Sequence, residues 1–304
     1  MDNPQTPEYR SGYVAVMGRP NVGKSTLINA LLGQKIAAVS PRPQTTRRQQ
    51  LGILTLESAQ IVFIDTPGVH RPHHKLGEVM NDTAKEALEN ADVILFVADV
   101  SQPPDEEDHL LADLIATLKK PSPVILALNK SDLVAPSDLE ARQAAFMQML
   151  PGNIPVIISA TRETNLGGLM EEIISRIPPG AQLFPEDQVT DLYEREIAAD
   201  LIREAALIHL REEVPHGISV RIDEYTERDE TGAYIAATIF VEKESHKPIL
   251  IGQGGVMLKK IGSAARLQIE KMSGRKVFLE LRVKVQKNWR DDEKTLYNFG
   301  FKKP

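Results

Sequence analysis

The sequence contains no cysteine, which excludes disulfides, thiolate metal sites and cysteine nucleophiles and agrees with a reducing compartment. It also lacks an apolar run of the ~18 residues a membrane helix needs, and its start, MDNPQTPEYRSGY, has no charged-then-apolar leader profile. A soluble intracellular protein is expected. Overall positive charge is missing too: the formal net charge of −6 argues against a uniformly basic nucleic-acid binder and gives no expectation of DNA binding. There is no internal repeat and no low-complexity tract. The total charge conceals an asymmetry, however. Residues 1–180 carry 16 Lys and Arg against 21 Asp and Glu, whereas residues 243–290 carry 12 against 3, a local charge of +9.

A length of 304 residues accommodates two domains, each with its own core. Short apolar runs at 12–17 (GYVAVM), 61–65 (IVFID), 93–98 (VILFVA), 124–128 (VILAL) and 155–158 (PVII) alternate with helical segments. That order describes a doubly wound, mostly parallel sheet covered on both faces, an α/β domain over 1–177. The proline- and glycine-bearing stretch IPPGAQLFPEDQ, 177–188, then marks a linker, taken as 178–190. Over 191–304 the pattern changes to α+β: a helix at 191–213, strands at 217–226 and 233–242 joined by ERDETG, a helix pair around IGQGG and a strand at 276–285.

Two glycine loops carry the chemistry. GRPNVGKS (18–25) fits GxxxxGKS between a strand and a helix. Its backbone N–H groups wrap phosphates over Asn21, Val22, Gly23, Lys24, Ser25 and Thr26, Lys24 meets the β/γ oxygens, and the Ser25 hydroxyl reaches Mg²⁺. DTPG (65–68) ends a strand, placing Asp65 toward the metal and the Gly68 N–H toward a γ-phosphate. NKSD (129–132) supplies base choice: the Asp132 carboxylate accepts from the N1–H and exocyclic amine of guanine, a donor pair adenine lacks. Asn129 and Lys130 accompany it, and SAT (159–161) adds Ser159 and the Ala160 N–H, a donor for the guanine oxygen. GTP and GDP are the expected nucleotides, with Mg²⁺.

The second loop has its core at Gly252, Gln253, Gly254 and Gly255, after Ile251. Glycines let a nucleic-acid backbone approach, and the following helix N-terminus offers N–H groups to phosphate. Beyond it Leu258, Ile261, Ala265, Ile269 and Met272 share one helical face, and Lys259, Lys260 and Arg266 lie away from it, free to face a phosphate chain.

The four motifs of the first half resemble the translation-factor-like branch of small GTPases. That resemblance places the effector threonine in PRPQTTRRQ, at Thr46 with Thr45 as the alternative, and makes Lys24, Thr46 and Gly68 the catalytic set. Many such switches carry a glutamine after the DxxG glycine; Val69 stands there, so slow intrinsic hydrolysis is expected. Some GTPases with this loop use a K⁺ ion held by the loop asparagine. Asn21 either does this or only stabilises the turn. The second half resembles a type II KH domain, whose GxxG loop clamps about four nucleotides of single strand. Together they resemble the Era family of bacterial GTPases, across nearly the whole chain, including GRPNVGKSTL, QTTR, DTPG, NKSD, IGQGG and LELRVKVQKNWRDD. The resemblance implies a cytoplasmic assembly factor of the 30S ribosomal subunit that binds 16S ribosomal RNA near its 3′ end, as a monomer, with peripheral membrane association as a further option. Two alternatives stay open: a nucleotide pocket that never hydrolyses, and a C-terminal domain whose partner is a protein or a membrane. His70, His73 and His74, in HRPHHK, are read as decoration of an exposed loop.

Overall fold

The computed structural model describes residues 8–42, 45–69, 72, 74–120, 122–228 and 231–301; His70 and His73 lie outside them. In chain order the first half gives β1 (Arg10–Met17), α1 (Lys24–Leu32), β2 (Gln50–Thr55), β3 (Ala59–Asp65), α2 (Lys75–Asn90), β4 (Val93–Asp99), α3 (Glu106–Ala116), β5 (Val124–Asn129), α4 (Pro136–Met149), β6 (Val156–Ile157) and α5 (Leu166–Arg176). AQIVFID and VILFVAD are buried at every position, as strands covered on both faces must be. They stand in a six-stranded sheet of order β2-β3-β1-β4-β5-β6, parallel except for β2, which pairs antiparallel with β3.

β2 was not among the expected strands. QLGILT is broken by Gly52 and follows the polar run TTRRQ, so local pattern gave little signal; its pairing with β3 from Gln50–Asp65 to Thr55–Gln60 supplies the rest. The last strand is also shorter than PVII suggested, since only Val156 and Ile157 pair.

The stretch from 178 to 191 starts beside β1, where Pro179 bridges Arg10 antiparallel, and its last residues reach the outer edge of β2. The Ile53 N–H donates to the Val189 carbonyl at 2.9 Å, the Leu51 N–H to the Asp191 carboxylate at 2.9 Å, and Gly52 bridges Thr190 antiparallel. Gln60 fixes the middle: its side-chain oxygen accepts from the N–H groups of Leu183 and Phe184 at 2.7 and 2.9 Å. Proline and glycine gave this segment the look of a tether, but several of its hydrogen-bonding groups are paired with the sheet.

The chain divides into two compact units. One holds the chain up to Lys35, from Thr46 through β3, and from Met80 to Asp191; the other holds Ile36–Thr45, the start of α2 to Val79, and everything from Leu192. The second unit contains α6 (Glu194–His209), β7 (Ser219–Glu227), β8 (Gly232–Val241), α7 (His246–Ile251), α8 (Val256–Ser273), β9 (Lys276–Val285) and α9 (Glu293–Asn298). α6 stops short of the expected 213 because Leu210 turns extended (φ −95°, ψ 161°), and a separate short helical turn, with Pro215 as its second residue, begins at Val214. β8 sits between antiparallel β7 and parallel β9. One core joins Ile202 and Ala205 of α6, Ile261, Ala265 and Ile269 of α8, and Ile235, Ala237 and Ile239 of β8. Each large aliphatic side chain buried there stabilises the unit by about 1.5–3 kcal/mol. Trp289 is fully buried beyond β9, its indole N–H donating to the Gly217 carbonyl at 2.9 Å and its ring packed edge-on by Phe299.

Candidate functional site

The first unit gathers its polar residues at the carboxyl ends of β1, β3, β4 and β5, where a doubly wound sheet opens a crevice. The loop after β1 turns on backbone shapes that favour glycine: Gly23 has φ +102°, and a Cβ there would stand 2.4 Å from the Asn129 amide nitrogen. Asn129 uses that proximity as a brace. Its amide donates to the Val22 carbonyl at 2.8 Å and its oxygen accepts from the Ala160 N–H at 2.9 Å, tying three motifs together. Asn21 takes φ +65° in the same loop.

Lys24 opens α1 and is buried, its ammonium donating to the carbonyls of Gly18 and Arg19 at 2.7 and 3.0 Å. Burial lowers its pKa to about 8, against the opposing pull of the Asp65 carboxylate. A polyphosphate beside it favours the charged form, so nucleotide binding takes up a proton above that pH. GTP affinity is expected to hold steady below about pH 8 and to fall above it, by up to about tenfold per pH unit. Titrations between about pH 7 and 9 check this; constant affinity would mean that the amine is charged throughout.

Ser25, Thr46 and Asp65 converge. The Ser25 hydroxyl donates to Asp65 Oδ2 at 2.8 Å, Thr46 donates to the same oxygen at 3.1 Å, and the two hydroxyls lie 2.9 Å apart. Three hard oxygen donors at one point suit a small divalent cation such as Mg²⁺. The Thr45 hydroxyl instead donates to the Arg42 carbonyl at 2.8 Å and meets Ser40. Gly68 sits against Pro20, where a Cβ would come within 3.0 Å of the proline nitrogen. At the other end of the crevice Asp132 is exposed, accepting from the Ser159 hydroxyl at 2.6 Å, while Lys130 is drawn to Asp99 at 2.7 Å.

A feature the motifs did not reveal is the anchorage of Arg19. Its guanidinium bridges Asp105 and Asp108 at 3.3 and 3.2 Å, at the capped start of α3, with Asp108 fully buried. The same residue's carbonyl holds Lys24, so α3 fixes the loop from behind. The acidic run DEED was the available signal, but it reads equally as an ordinary helix N-terminus.

In the second unit the turn after α7 runs through Gly252 (φ 73°, ψ 167°), Gly254 (φ 60°, ψ 19°) and Gly255 (φ 81°, ψ 7°) into α8. Gln253 and Gly254 are exposed and Ile251 half-buried. Lys259, Lys260 and Arg266 are exposed on α8, opposite its buried stripe. Between α8 and β9 runs an open groove of about 510 Å³, lined by Gly255, Leu258, Lys259, Arg266, Phe278 and Leu281 among others.

A phosphate loop, a converging hydroxyl–carboxylate set and an NKSD loop on a doubly wound sheet, joined to a basic GxxG domain, define a P-loop GTPase with a KH domain. Family models agree: one described as 50S ribosome-binding GTPase matches residues 13–130, and the KH domain matches 213–290. GTPase Era of Halothermothrix orenii is 48% identical over 295 residues, covering 97% of this chain and 99% of that one. A crystal structure of Era in complex with MgGDPNP and nucleotides 1506–1542 of 16S ribosomal RNA superposes with a TM-score of 0.91 at 41% identity, covering 96% and 99%. A variant of Aquifex aeolicus Era bound to GDP·AlF4⁻ gives 0.90 at 40%, again over 96% and 99%. The chain belongs to the Era family and is a GTP hydrolase.

Proposed function

We propose that the protein is a GTP-driven switch that binds the 3′ region of 16S ribosomal RNA and serves assembly of the 30S subunit in the cytoplasm. The observation that carries this is the pairing of a complete nucleotide crevice with a basic GxxG groove in one chain; a relative at 41% identity crystallised with both ligand classes supports it. Ser25, Thr46 and Asp65 hold Mg²⁺, which when bound neutralises charge on the β and γ phosphates. Lys24 adds a second positive charge there, the Gly68 N–H marks the γ position, and Asp132 reads guanine. Val69 packs its apolar side chain against the core and cannot orient a water, so unassisted turnover is slow. Among the described residues no helix is long and apolar enough to cross a membrane.

The switch reading rests on the segment between α1 and β2. Within the second unit, the Glu204 carboxylate accepts from the Val39 N–H at 3.0 Å, and Arg203 donates to the Thr45 carbonyl. Both side chains are buried on α6. Within the first unit, the neighbouring Thr46 stands at the Asp65 constellation. A γ-phosphate that draws Thr46 therefore acts on chain that α6 also holds. RNA is expected to bind protein loaded with a non-hydrolysable GTP analogue about 5- to 150-fold more tightly than protein loaded with GDP, and the analogue to gain by the same factor from RNA. Titration of RNA into the two loaded forms measures this. Equal affinities would leave the protein an RNA-binding GTPase without a switch.

A further inference from the structure

Asp108 puts a carboxylate where it costs stability. Its side chain is fully buried at the start of α3, and among the described residues its Oδ1 has no hydrogen-bond partner. A buried charge is expensive unless it is fully paired. The other oxygen, Oδ2, is shared: it accepts from the Asp105 N–H at 3.2 Å and from Arg19 Nε at 3.2 Å. Helix capping does not account for this arrangement. The capping box formed by Asp105 and Asp108 needs only an acceptor at the second position, and an exposed glutamate or glutamine, the usual residue there, supplies one. What the buried carboxylate adds is its hold on Arg19.

Arg19 stands between two groups at the γ-phosphate end of the crevice. Its own carbonyl and that of Gly18 accept from the Lys24 ammonium at 3.0 and 2.7 Å. The next residue, Pro20, packs so closely on Gly68 that a Cβ on the glycine would fall 3.0 Å from the proline nitrogen and 3.1 Å from its ring. Val69, which follows, packs against the apolar cluster to which Leu111 and Ala112 of α3 belong. We propose that Asp108 is a positioning residue for GTP hydrolysis: by holding Arg19 it fixes residues 18–20, and with them the placing of Lys24 relative to the Gly68 N–H on either side of the γ-phosphate. The inference rests on the roles given above to Lys24 and Gly68 and is independent of the RNA reading. Asp108 acts through the loop, not on the nucleotide. Binding of the ground state draws on the many N–H groups of the phosphate loop, whereas the transition state depends on close placement of charge and donors around the transferred phosphoryl group. Loosening residues 18–20 therefore falls on kcat more than on affinity.

The test measures GTP hydrolysis by the full chain with Mg²⁺ and without RNA, and GDP affinity with a fluorescent analogue. Asp108→Asn keeps the size of the side chain and an acceptor for the Asp105 N–H but removes the charge facing Arg19. It is expected to lower kcat about 10- to 100-fold while KM and GDP affinity stay within about threefold. Arg19→Gln, at a position 17% exposed, should give the same split. Arg19→Lys keeps a positive charge opposite Asp108 and should retain most of kcat. With Asp108→Asn and Arg19→Gln combined, kcat should be no lower than in the slower single variant, because the two residues act as one device. A purely structural Asp108 predicts lower thermal melting with kcat intact well below the melting temperature, and that result overturns the proposal. If Asp108→Asn does not fold, a normal kcat in Arg19→Gln overturns it equally. Lys24→Ala tests the reading beneath: undiminished hydrolysis there removes the role of Lys24 and the positioning with it. An inactive Lys24→Ala beside normal turnover in Asp108→Asn and Arg19→Gln sinks the positioning alone.

Discussion

Replacing Asp132 with Asn is expected to turn the protein from a guanine binder into a xanthine binder. The Asp132 carboxylate is exposed and held on one side only, by the Ser159 hydroxyl at 2.6 Å, which leaves acceptor capacity for the N1–H and amine of guanine. Two charge-assisted hydrogen bonds of about 1.5–3 kcal/mol each are lost in the variant, so GTP affinity should drop roughly a hundred- to ten-thousand-fold. Xanthosine triphosphate presents a carbonyl where guanine has its amine, and the new amide can donate to it, so affinity for that nucleotide should rise. Competition between the two nucleotides reads the change directly. Preserved preference for GTP would move base recognition away from NKSD. Asn129 would be the wrong residue for this test, because it braces Val22 and Ala160 and its removal would loosen the phosphate loop as well.

The second large effect is expected at the GxxG turn, and the structure decides which glycine to change. A Cβ at Gly252 would fall 2.8 Å from both the nitrogen and the Cβ of Met257, so any substitution there deforms α8 before it tests RNA. At Gly254 a Cβ meets nothing within 4 Å, and φ 60°, ψ 19° is a conformation that Asp and Asn adopt among the non-glycine residues. If the turn holds the phosphate chain as proposed, Gly254→Asp sets a negative charge against it and should lower RNA affinity by at least about tenfold. Gly254→Asn keeps the shape without the charge and should retain most of the binding. Nucleotide binding should be unaffected in both. Lys259→Ala and Lys260→Ala should each flatten the salt dependence by up to about 0.7 in log–log slope. Full RNA affinity in Gly254→Asp would place the RNA elsewhere on the chain.

The parts of these sites that are short in sequence were legible in it. GRPNVGKS, DTPG, NKSD and IGQGG each put their chemistry within a few residues of a strand or helix end, and local spacing was enough. Parts assembled across the chain were not. The bond from Arg19 to Asp108 spans 89 positions, and no spacing rule connects a loop arginine to a helix cap that distant. β2 owes its existence to β3, and α9 follows a strand and a tail with no apolar run to announce it. The effector threonine was open between two neighbours, and in the structure it is Thr46 whose hydroxyl reaches the Asp65 carboxylate.

The stretch from 178 to 191 has a consequence for how the protein behaves among copies of itself. β2 is the last strand of its sheet, and an uncovered last strand offers its backbone to any passing chain as a template for growth. Here the outward N–H groups of Leu51 and Ile53 are already taken by Asp191 and Val189, and Gln60 pins the covering chain at Leu183 and Phe184. The joint between the domains is thus also the sheet's guard against strand-to-strand self-association. A nick or insertion that lifted residues 189–191 would bare the N–H groups of Leu51 and Ile53 to strand pairing.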